Sequence, residues 1–281
     1  MRSAWASVWS VGLAVWLAGL GAWAEDGAGP PPPAPLEPAD PKAPVVPGPP
    51  PELVSERPTM SASSQVAPAG FALFELGLGY HVGEDTQLLT LPRLLVRYGL
   101  GGGGEVRVGF AGLEATFPDT GPGEVEMGPL SLGGKYTFSL GESFDVGLLG
   151  MVGLPLRGEA YDSKGVSLAL ALTGEVELAD WVDARANFGV DVLGLGAGSS
   201  AQDRIYLVSL ALGFEAGERT RLFLEGYGQI PELAQDDARA VLQVGFAFRP
   251  VPHWQVDGSL GLDLLRAPDA VSAGLGSTIL W

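Results

Sequence analysis

Apolar and polar residues alternate at every second position along most of this chain, from about residue 67 to its end. The segment WVDARANFGVDV, residues 181–192, shows the pattern: valine, alanine and phenylalanine alternate with aspartate, arginine, asparagine and glycine. Successive side chains of a β-strand point to opposite faces, so a period of two indicates a strand with one apolar and one polar face. No window of this region shows a helical stripe. We therefore expect an all-β fold.

About twelve segments of this kind follow one another, separated by clusters of glycine, proline, aspartate and serine. They lie near residues 70–81, 87–98, 104–113, 127–139, 143–155, 165–177, 181–192, 204–216, 219–230, 238–249, 253–264 and 270–281. The number is even, and each segment is about as long as a tilted strand needs to cross a bilayer.

Two architectures produce such alternation, the soluble β-sandwich and the transmembrane β-barrel. The segments are mostly longer than the strands of a sandwich. Tight connections such as GLGGGG, ELAD and AGE alternate with longer ones such as EATFPDTGPGEVE. Short turns on one side and longer loops on the other are typical of outer-membrane barrels. We predict an antiparallel up-and-down transmembrane β-barrel of about twelve strands over residues 67–281, with periplasmic termini.

The N-terminal region predicts export. Residues 1–24 combine one arginine, a mostly apolar run and the cleavage pattern Ala22-Trp23-Ala24, which is typical of a signal peptide. The apolar run is short for a transmembrane anchor, the alternative reading. Residues 25–66 are rich in proline, which predicts a disordered, extended periplasmic linker. A ligand for a proline-recognition module is the other reading of this segment.

In the barrel register, charged strand residues face the lumen. An arginine on the lipid face at mid-depth costs about 2–4 kcal/mol, so many misplaced charges would outweigh the stability of a domain. The candidate lumen-lining residues are Glu75, Arg93, Arg97, Glu105, Arg107, Lys135, Asp145, Glu175, Glu177, Asp183, Arg185, Asp191, Arg221, Glu225, Arg239 and Asp257. Their order predicts a basic arc on the early strands and an acidic arc on the middle ones.

Aromatic residues lie beside the short turns and at the chain end, where they predict a girdle at the inner membrane interface. The girdle candidates are Tyr98, Trp181, Phe248, Trp254 and Trp281. The expected partners are outer-membrane lipid and lipopolysaccharide, together with the barrel assembly machinery, which reads a terminal aromatic strand. The acidic longer loops keep the outer end soluble, or bind divalent cations that bridge to lipopolysaccharide phosphates.

Several function classes are excluded. A formal net charge of −17 argues against nucleic-acid binding, and the absence of cysteine excludes thiolate chemistry. The segment Gly99–Gly104 matches G-x-G-x-x-G, but a strand follows it where a dinucleotide site needs a helix. The two histidines, His81 and His253, fall at opposite ends of the predicted barrel. We therefore expect no catalytic, cofactor-binding or metal-binding residues and no enzymatic activity.

Three stretches, ERPTMSASSQVAPAGFALFELGLGY, LPRLLVRYGLGGGGEVRVGF and GPLSLGGKYTF, resemble the family of the MetA pathway of phenol degradation. The shared features are the Arg-Pro pair before a strand, Glu75, an Arg-Tyr-Gly turn, Glu105-x-Arg107 and a Gly-x-Lys-Tyr strand. The resemblance covers about the first third of the barrel, and the chain departs from it at Gly101–Gly104, where the family has a polar turn. It implies a Gram-negative outer-membrane protein that transports small compounds, aromatic ones included.

Sequence alone therefore predicts an outer-membrane channel for passive uptake or efflux of small solutes, with aromatic or apolar compounds as candidates. Many inward positions are glycine or alanine, which leaves volume for a lumen. The alternative is a structural or adhesive barrel with a closed lumen. In that reading the Pro-rich arm anchors it to peptidoglycan or to a periplasmic partner.

Overall fold

The computed structural model describes residues 51–83, 85–141, 143–156, 165–195, 203–232, 238–265 and 270–281. The predicted signal peptide and the linker up to residue 50 lie outside these residues and remain predictions. Within the described ranges, no helix is long and apolar enough to cross a membrane.

The described residues form fourteen strands of one antiparallel sheet. Their bounds are β1 Ala72–Val82, β2 Thr86–Gly101, β3 Gly104–Phe110, β4 Leu113–Pro118, β5 Glu124–Met127, β6 Leu130–Ser139, β7 Phe144–Leu154, β8 Val166–Ala179, β9 Val182–Leu195, β10 Asp203–Gly217, β11 Thr220–Pro231, β12 Arg239–Val251, β13 Trp254–Asp263 and β14 Val271–Leu280.

The sheet closes into a barrel because β1 pairs with both β14 and β2. Of the fourteen strands, β4 and β5 lie outside the ring, so twelve strands close it. A closed ring leaves no unpaired strand edge, which is the condition for a sheet to span hydrocarbon. The predicted fold, an antiparallel barrel of about twelve strands, is confirmed.

Strands β4 and β5 continue the β3–β6 hairpin beyond an interruption in each strand. Leu113 pairs with Met127 in the outer hairpin, whereas Phe110 pairs with Leu130 in the ring. Ala111-Gly112 and Gly128-Pro129 form the interruptions. The segments predicted near residues 104–113 and 127–139 correspond to β3 and β6, whereas most of β4 and β5 falls in EATFPDTGPGEVE, which the sequence predicted as a loop. Glycine and proline interrupt the ladder between the ring and this outer hairpin.

The side-chain register follows the predicted parity. Leu222 and Leu224 of β11 are exposed on the outer face, whereas Phe223 between them and Glu225 after them are buried on the inner face. In β14, Leu275 and Ile279 are exposed while Thr278 is buried. The outside is therefore an apolar band suited to lipid, and the inside is polar. This closed barrel is an outer-membrane β-barrel.

The two ends of the barrel differ. Short connections join β2 to β3, β6 to β7, β8 to β9, β10 to β11 and β12 to β13 at one end, where Ala72 N also donates to Trp281 O at 2.9 Å. We call this the turn end. The other end carries the longer connections and the β4–β5 hairpin. All five girdle candidates lie near the turn end with exposed side chains: Tyr98, Trp181, Phe248, Trp254 and Trp281.

Residues 53–67, which we call the inner segment, lie against the inner faces of the strands. Ser61, Ser63 and Ser64 are fully buried, and Leu53 and Ala67 pack with Leu73 and Leu280 in a small apolar cluster. Most of this stretch falls within the segment predicted as a disordered periplasmic linker. Here it is bound to the barrel, because its polar groups find partners on the inner strand faces.

A matched pair of substitutions on β2 tests the register. Leu94 is exposed on the outer face, and Leu95 lies on the inner face opposite Glu75. Leu94→Arg should sharply lower the amount of assembled barrel, since an arginine facing lipid costs about 2–4 kcal/mol. Leu95→Arg should assemble, because its charge faces the lumen. Heat-modifiable mobility of membrane fractions measures assembly, and equal assembly of the two variants would contradict the register.

Candidate functional site

The inner segment crosses the lumen and contacts strands far apart on the ring. Ser55 Oγ lies 2.7 Å from Thr278 Oγ1 of β14, and Ser61 Oγ lies 2.8 Å from Ser209 Oγ of β10. Further along, Ser64 Oγ lies 3.1 Å from Thr173 Oγ1 of β8. Since β14, β10 and β8 occupy different sides of the ring, the segment spans the interior rather than following one wall.

Glutamates of the wall bind the main chain of this segment. Glu225 accepts hydrogen bonds from Met60 N at 2.8 Å and from Ser61 N at 2.6 Å, and the Ser61 hydroxyl donates to it as well. A segment without regular structure has unpaired N–H groups, and a buried unpaired N–H is unfavourable. A carboxylate is a strong acceptor for them. Glu225 therefore fixes the middle of the inner segment.

The same arrangement recurs at three other wall positions. Glu175 accepts from Ser63 Oγ at 2.8 Å and from Ser64 N at 3.1 Å. Glu105 accepts from Ala67 N at 2.6 Å, and Glu75 accepts from Glu56 N at 3.1 Å. Wall carboxylates thus accept hydrogen bonds from the inner segment along most of its length.

Glu56 supplies the reverse interaction, a carboxylate of the segment bound by cations of the wall. Its Oε1 lies 2.6 Å from Arg107 NH2, 2.7 Å from Lys135 Nζ and 3.4 Å from Arg97 NH2. Burial alone would raise the pKa of Glu56, but Arg107, Lys135 and Arg97 together hold its pKa well below the usual value. The Glu56 carboxylate therefore remains ionised over the whole pH range in which an ordinary glutamate is ionised.

Arg97 is the centre of the basic cluster. Its guanidinium lies 3.2 Å from Glu75 and 3.0 Å from Glu105, besides its contact with Glu56, and its side chain is fully buried. Arg107 also pairs with Glu105. Arg97, Arg107 and Lys135 of the predicted basic arc are therefore paired with two acids of the wall and one of the inner segment.

Two acids of the predicted acidic arc, Glu175 and Asp183, are also paired with arginines. Arg185 NH2 lies 3.0 Å from Glu175 Oε1, and Arg221 pairs with both Asp183 and Glu215. A cavity of about 80 Å³ lies beside these residues, next to the first residues of the inner segment. That volume holds a few water molecules, since one water needs roughly 10–15 Å³ by this measure.

The sixteen lumen candidates divide by exposure. Those buried in the interior are Glu75, Arg97, Glu105, Arg107, Lys135, Glu175, Glu225 and Asp257. Those partly exposed are Asp145, Asp183, Arg185, Asp191, Arg221 and Arg239, and those exposed are Arg93 and Glu177. Within the structure, some of these candidates form two separate clusters, one around Arg97 and one around Arg185 and Arg221. Arg239 instead pairs with Asp263 at 3.2 Å.

Sequence reasoning missed the partners inside the lumen, namely Ser55, Glu56, Arg57, Ser61, Ser63 and Ser64. A signal was present: the proline run stops after Pro51, and the stretch ELVSERPTMSASSQVA that follows up to Pro68 contains one proline and many small polar residues. This change of composition separates the inner segment from the linker. In the described part of the chain, no group of three or more His, Asp or Glu residues is placed to hold a metal ion.

Comparison with known proteins agrees with this architecture. The family model described as "Putative MetA-pathway of phenol degradation" matches residues 55–279. An outer membrane channel from Pseudomonas putida superposes with a TM-score of 0.60 at 14% identity, covering 78% of this chain and 98% of that one. No curated protein sequence matches the chain.

Two further solved structures share the fold. The NanC porin gives a TM-score of 0.54 at 9% identity, covering 73% of this chain and 98% of its own. The translocator domain of the autotransporter NalP from Neisseria meningitidis gives 0.54 at 12% identity, covering 74% and 87%. The family match includes the inner segment from Ser55 onward, so that segment lies within the matched unit.

The role of Glu56 is testable by cysteine labelling, since the chain has no cysteine of its own. Ala62→Cys places a thiol on the inner segment at a side chain that makes no hydrogen bond. Adding Glu56→Gln should speed maleimide labelling about tenfold or more, because it leaves buried cations without their carboxylate.

Glu52→Gln is the matched control, since the Glu52 side chain is 76% exposed and forms an ion pair with Arg249 at the long distance of 3.6 Å. It should leave the labelling rate of Ala62→Cys unchanged. An unchanged rate in the Glu56→Gln variant would show that this cluster does not hold the segment.

Proposed function

This chain belongs to the family described as "Putative MetA-pathway of phenol degradation", and we propose that it is an outer-membrane channel for small solutes. In this proposal the barrel has no catalytic role, and passage requires displacement of the inner segment. The observation that carries the proposal is the way the lumen is filled: by a polar chain segment bound through hydrogen bonds and ion pairs.

The chemistry of the inner segment supports displacement. Its apolar contacts lie at its two ends, at Leu53 and Ala67, whereas its middle is polar. Water can replace hydrogen bonds to serine hydroxyls and main-chain N–H groups, so each contributes only about 0.5–1.5 kcal/mol net, more for charged partners. A segment held in this way can leave without exposing a hydrophobic core.

The shape of the wall supports the same proposal. Barrels of eight strands are filled by their own side chains, while much larger barrels enclose a channel. Here the ring leaves enough space for a separate chain segment. At Gly147 an added Cβ would crowd the Thr173 hydroxyl and lie 3.4 Å from Ser64 O. The absence of a side chain at this wall position therefore leaves room for the segment. With the segment displaced, this volume becomes a polar passage.

The sixteen lumen candidates would line that passage, and the solutes would be small, including aromatic or apolar ones as the family description suggests. The exposed aromatics of the turn end would lie at the membrane interface. Lipid and lipopolysaccharide would surround the barrel, and the assembly machinery would read the strand that ends at Trp281.

The rival proposal is a permanently closed structural barrel, anchored by its Pro-rich arm to peptidoglycan or a periplasmic partner. The Glu56 cluster favours it, because three cations converge on one carboxylate of the inner segment. The two proposals differ in whether the segment leaves the lumen.

A reversible cross-link decides between them. Ser64 Oγ and Thr173 Oγ1 are 3.1 Å apart, so cysteines at both positions are placed to form a disulfide between segment and wall. In planar bilayers the oxidised Ser64→Cys/Thr173→Cys protein should show little conductance, and reduction should restore it. Thr173→Cys alone is the control and should not respond to oxidation.

Deleting residues 53–66 should raise the single-channel conductance several-fold, since it removes the chain that crosses the lumen. If neither reduction nor deletion gives measurable conductance in a correctly folded barrel, the closed structural barrel is favoured. If oxidation leaves conductance unchanged, passage does not depend on the segment.

A further inference from the structure

Arg57 of the inner segment lies in a notch of the barrel wall. Its guanidinium lies over Gly77 of β1 and Gly276 of β14, a directly paired couple, and a Cβ at either glycine would overlap it. The guanidinium donates to Leu275 O at 2.9 Å and to Asp257 Oδ1 at 3.3 Å. The wall is thus shaped around this one cation.

Four wall positions form a row across neighbouring strands at this level. Asp257 of β13 pairs with Gly276, Gly276 pairs with Gly77, and Gly77 pairs with Arg93 of β2. The Arg57 guanidinium lies over the two glycines in the middle of the row. It therefore has a carboxylate on one side and a second arginine on the other.

Arg93 differs from the other arginines of the lumen. It shares the inward parity of Arg97 on β2, but Arg97 contacts three carboxylates. Among the described residues, Arg93 makes no hydrogen bond and no ion pair within 4.0 Å, and its side chain is exposed within the barrel. The charged or ionisable groups that face it are Arg57, Glu114 of β4 and Tyr227 of β11.

Arg57 is paired with Asp257, whereas among the described residues no carboxylate lies within ion-pair distance of Arg93. The Arg93 guanidinium is therefore the charge at this level that lacks an ion-pair partner. Guanidinium groups bind planar oxyanions through paired N–H donors, and they do so best where water is partly excluded. Tyr227 of β11 shares the inward parity of Glu225 and interacts electrostatically with Arg93, which places an aromatic residue on the lumen side of the facing wall.

We propose that Arg57 and Arg93 form a binding site for a small carboxylate solute in the lumen. This proposal rests on the channel function and assigns it a solute class. The carboxylate accepts hydrogen bonds from the free guanidinium of Arg93 and from the exposed side of Arg57, and Tyr227 contacts the rest of the molecule. Glu114 repels an anion and limits the affinity of the site.

Benzoate is the probe, and benzamide, its neutral analogue of the same shape, is the matched control ligand. Titration calorimetry on the folded full-length barrel in detergent should detect saturable benzoate binding and no benzamide binding. Arg93→Gln should weaken benzoate binding about tenfold or more, because it removes the charged donor. Arg93→Lys should restore part of the affinity.

Arg249→Gln is the matched control variant, since Arg249 lies at the turn end and its removal changes the net charge by the same amount. It should bind benzoate as the unaltered protein does. Equal binding by Arg93→Gln, binding of benzamide as tight as that of benzoate, or no binding at all would overturn the proposal. Calorimetry does not depend on conductance. Benzoate binding to a non-conducting barrel would therefore contradict the proposed channel function but support the carboxylate-binding site.

Discussion

The closure of the sheet by β1 is the constraint on which the rest of the structure depends. Each backbone N–H and C=O that faces hydrocarbon must have a partner within the protein, and an open sheet cannot provide one along its edges. The ten-residue ladder between β1 and β14, together with the pairing of β1 with β2, removes both edges. Closure also creates an interior, and the polar and charged groups buried there need hydrogen-bond or ion-pair partners of their own.

That second problem is solved between the wall and the inner segment. The wall carries carboxylates and cations whose burial would be costly if they lacked partners. The segment has main-chain donors with no secondary structure to satisfy them. Glu225 and Glu175 accept from the segment, while Arg107 and Lys135 bind its Glu56. Each side therefore satisfies the other, and neither would be stable in the lumen without its counterpart or water.

Local patterning was enough to predict the strands and their faces. The parity that separates Leu224 from Glu225 can be read from neighbouring residues, because lipid and lumen impose opposite demands on adjacent positions. The β4–β5 hairpin was not predicted, since most of its residues lie in EATFPDTGPGEVE, whose glycine, proline and acidic residues indicate a loop.

The candidate site was only half predictable for a different reason. Charged strand residues had to face inward, so Arg97 and Lys135 could be placed in the lumen from parity alone. Their partner Glu56 lies in a segment without periodicity, and it meets Lys135 across 79 positions of sequence. Contacts of that kind depend on tertiary closure, which leaves no local pattern in the chain.

The distribution of the inner segment's contacts has a consequence for the order of events during biogenesis. The segment leads the barrel in the chain, yet it binds β3, β8, β11 and β14 together. Its binding surface does not exist until the last strand has joined the first. We therefore expect the earliest part of the barrel unit to be synthesised to be the last to reach its final position. Occupancy of the interior then marks a finished barrel, and a partly assembled one can be told apart by the accessibility of its first residues.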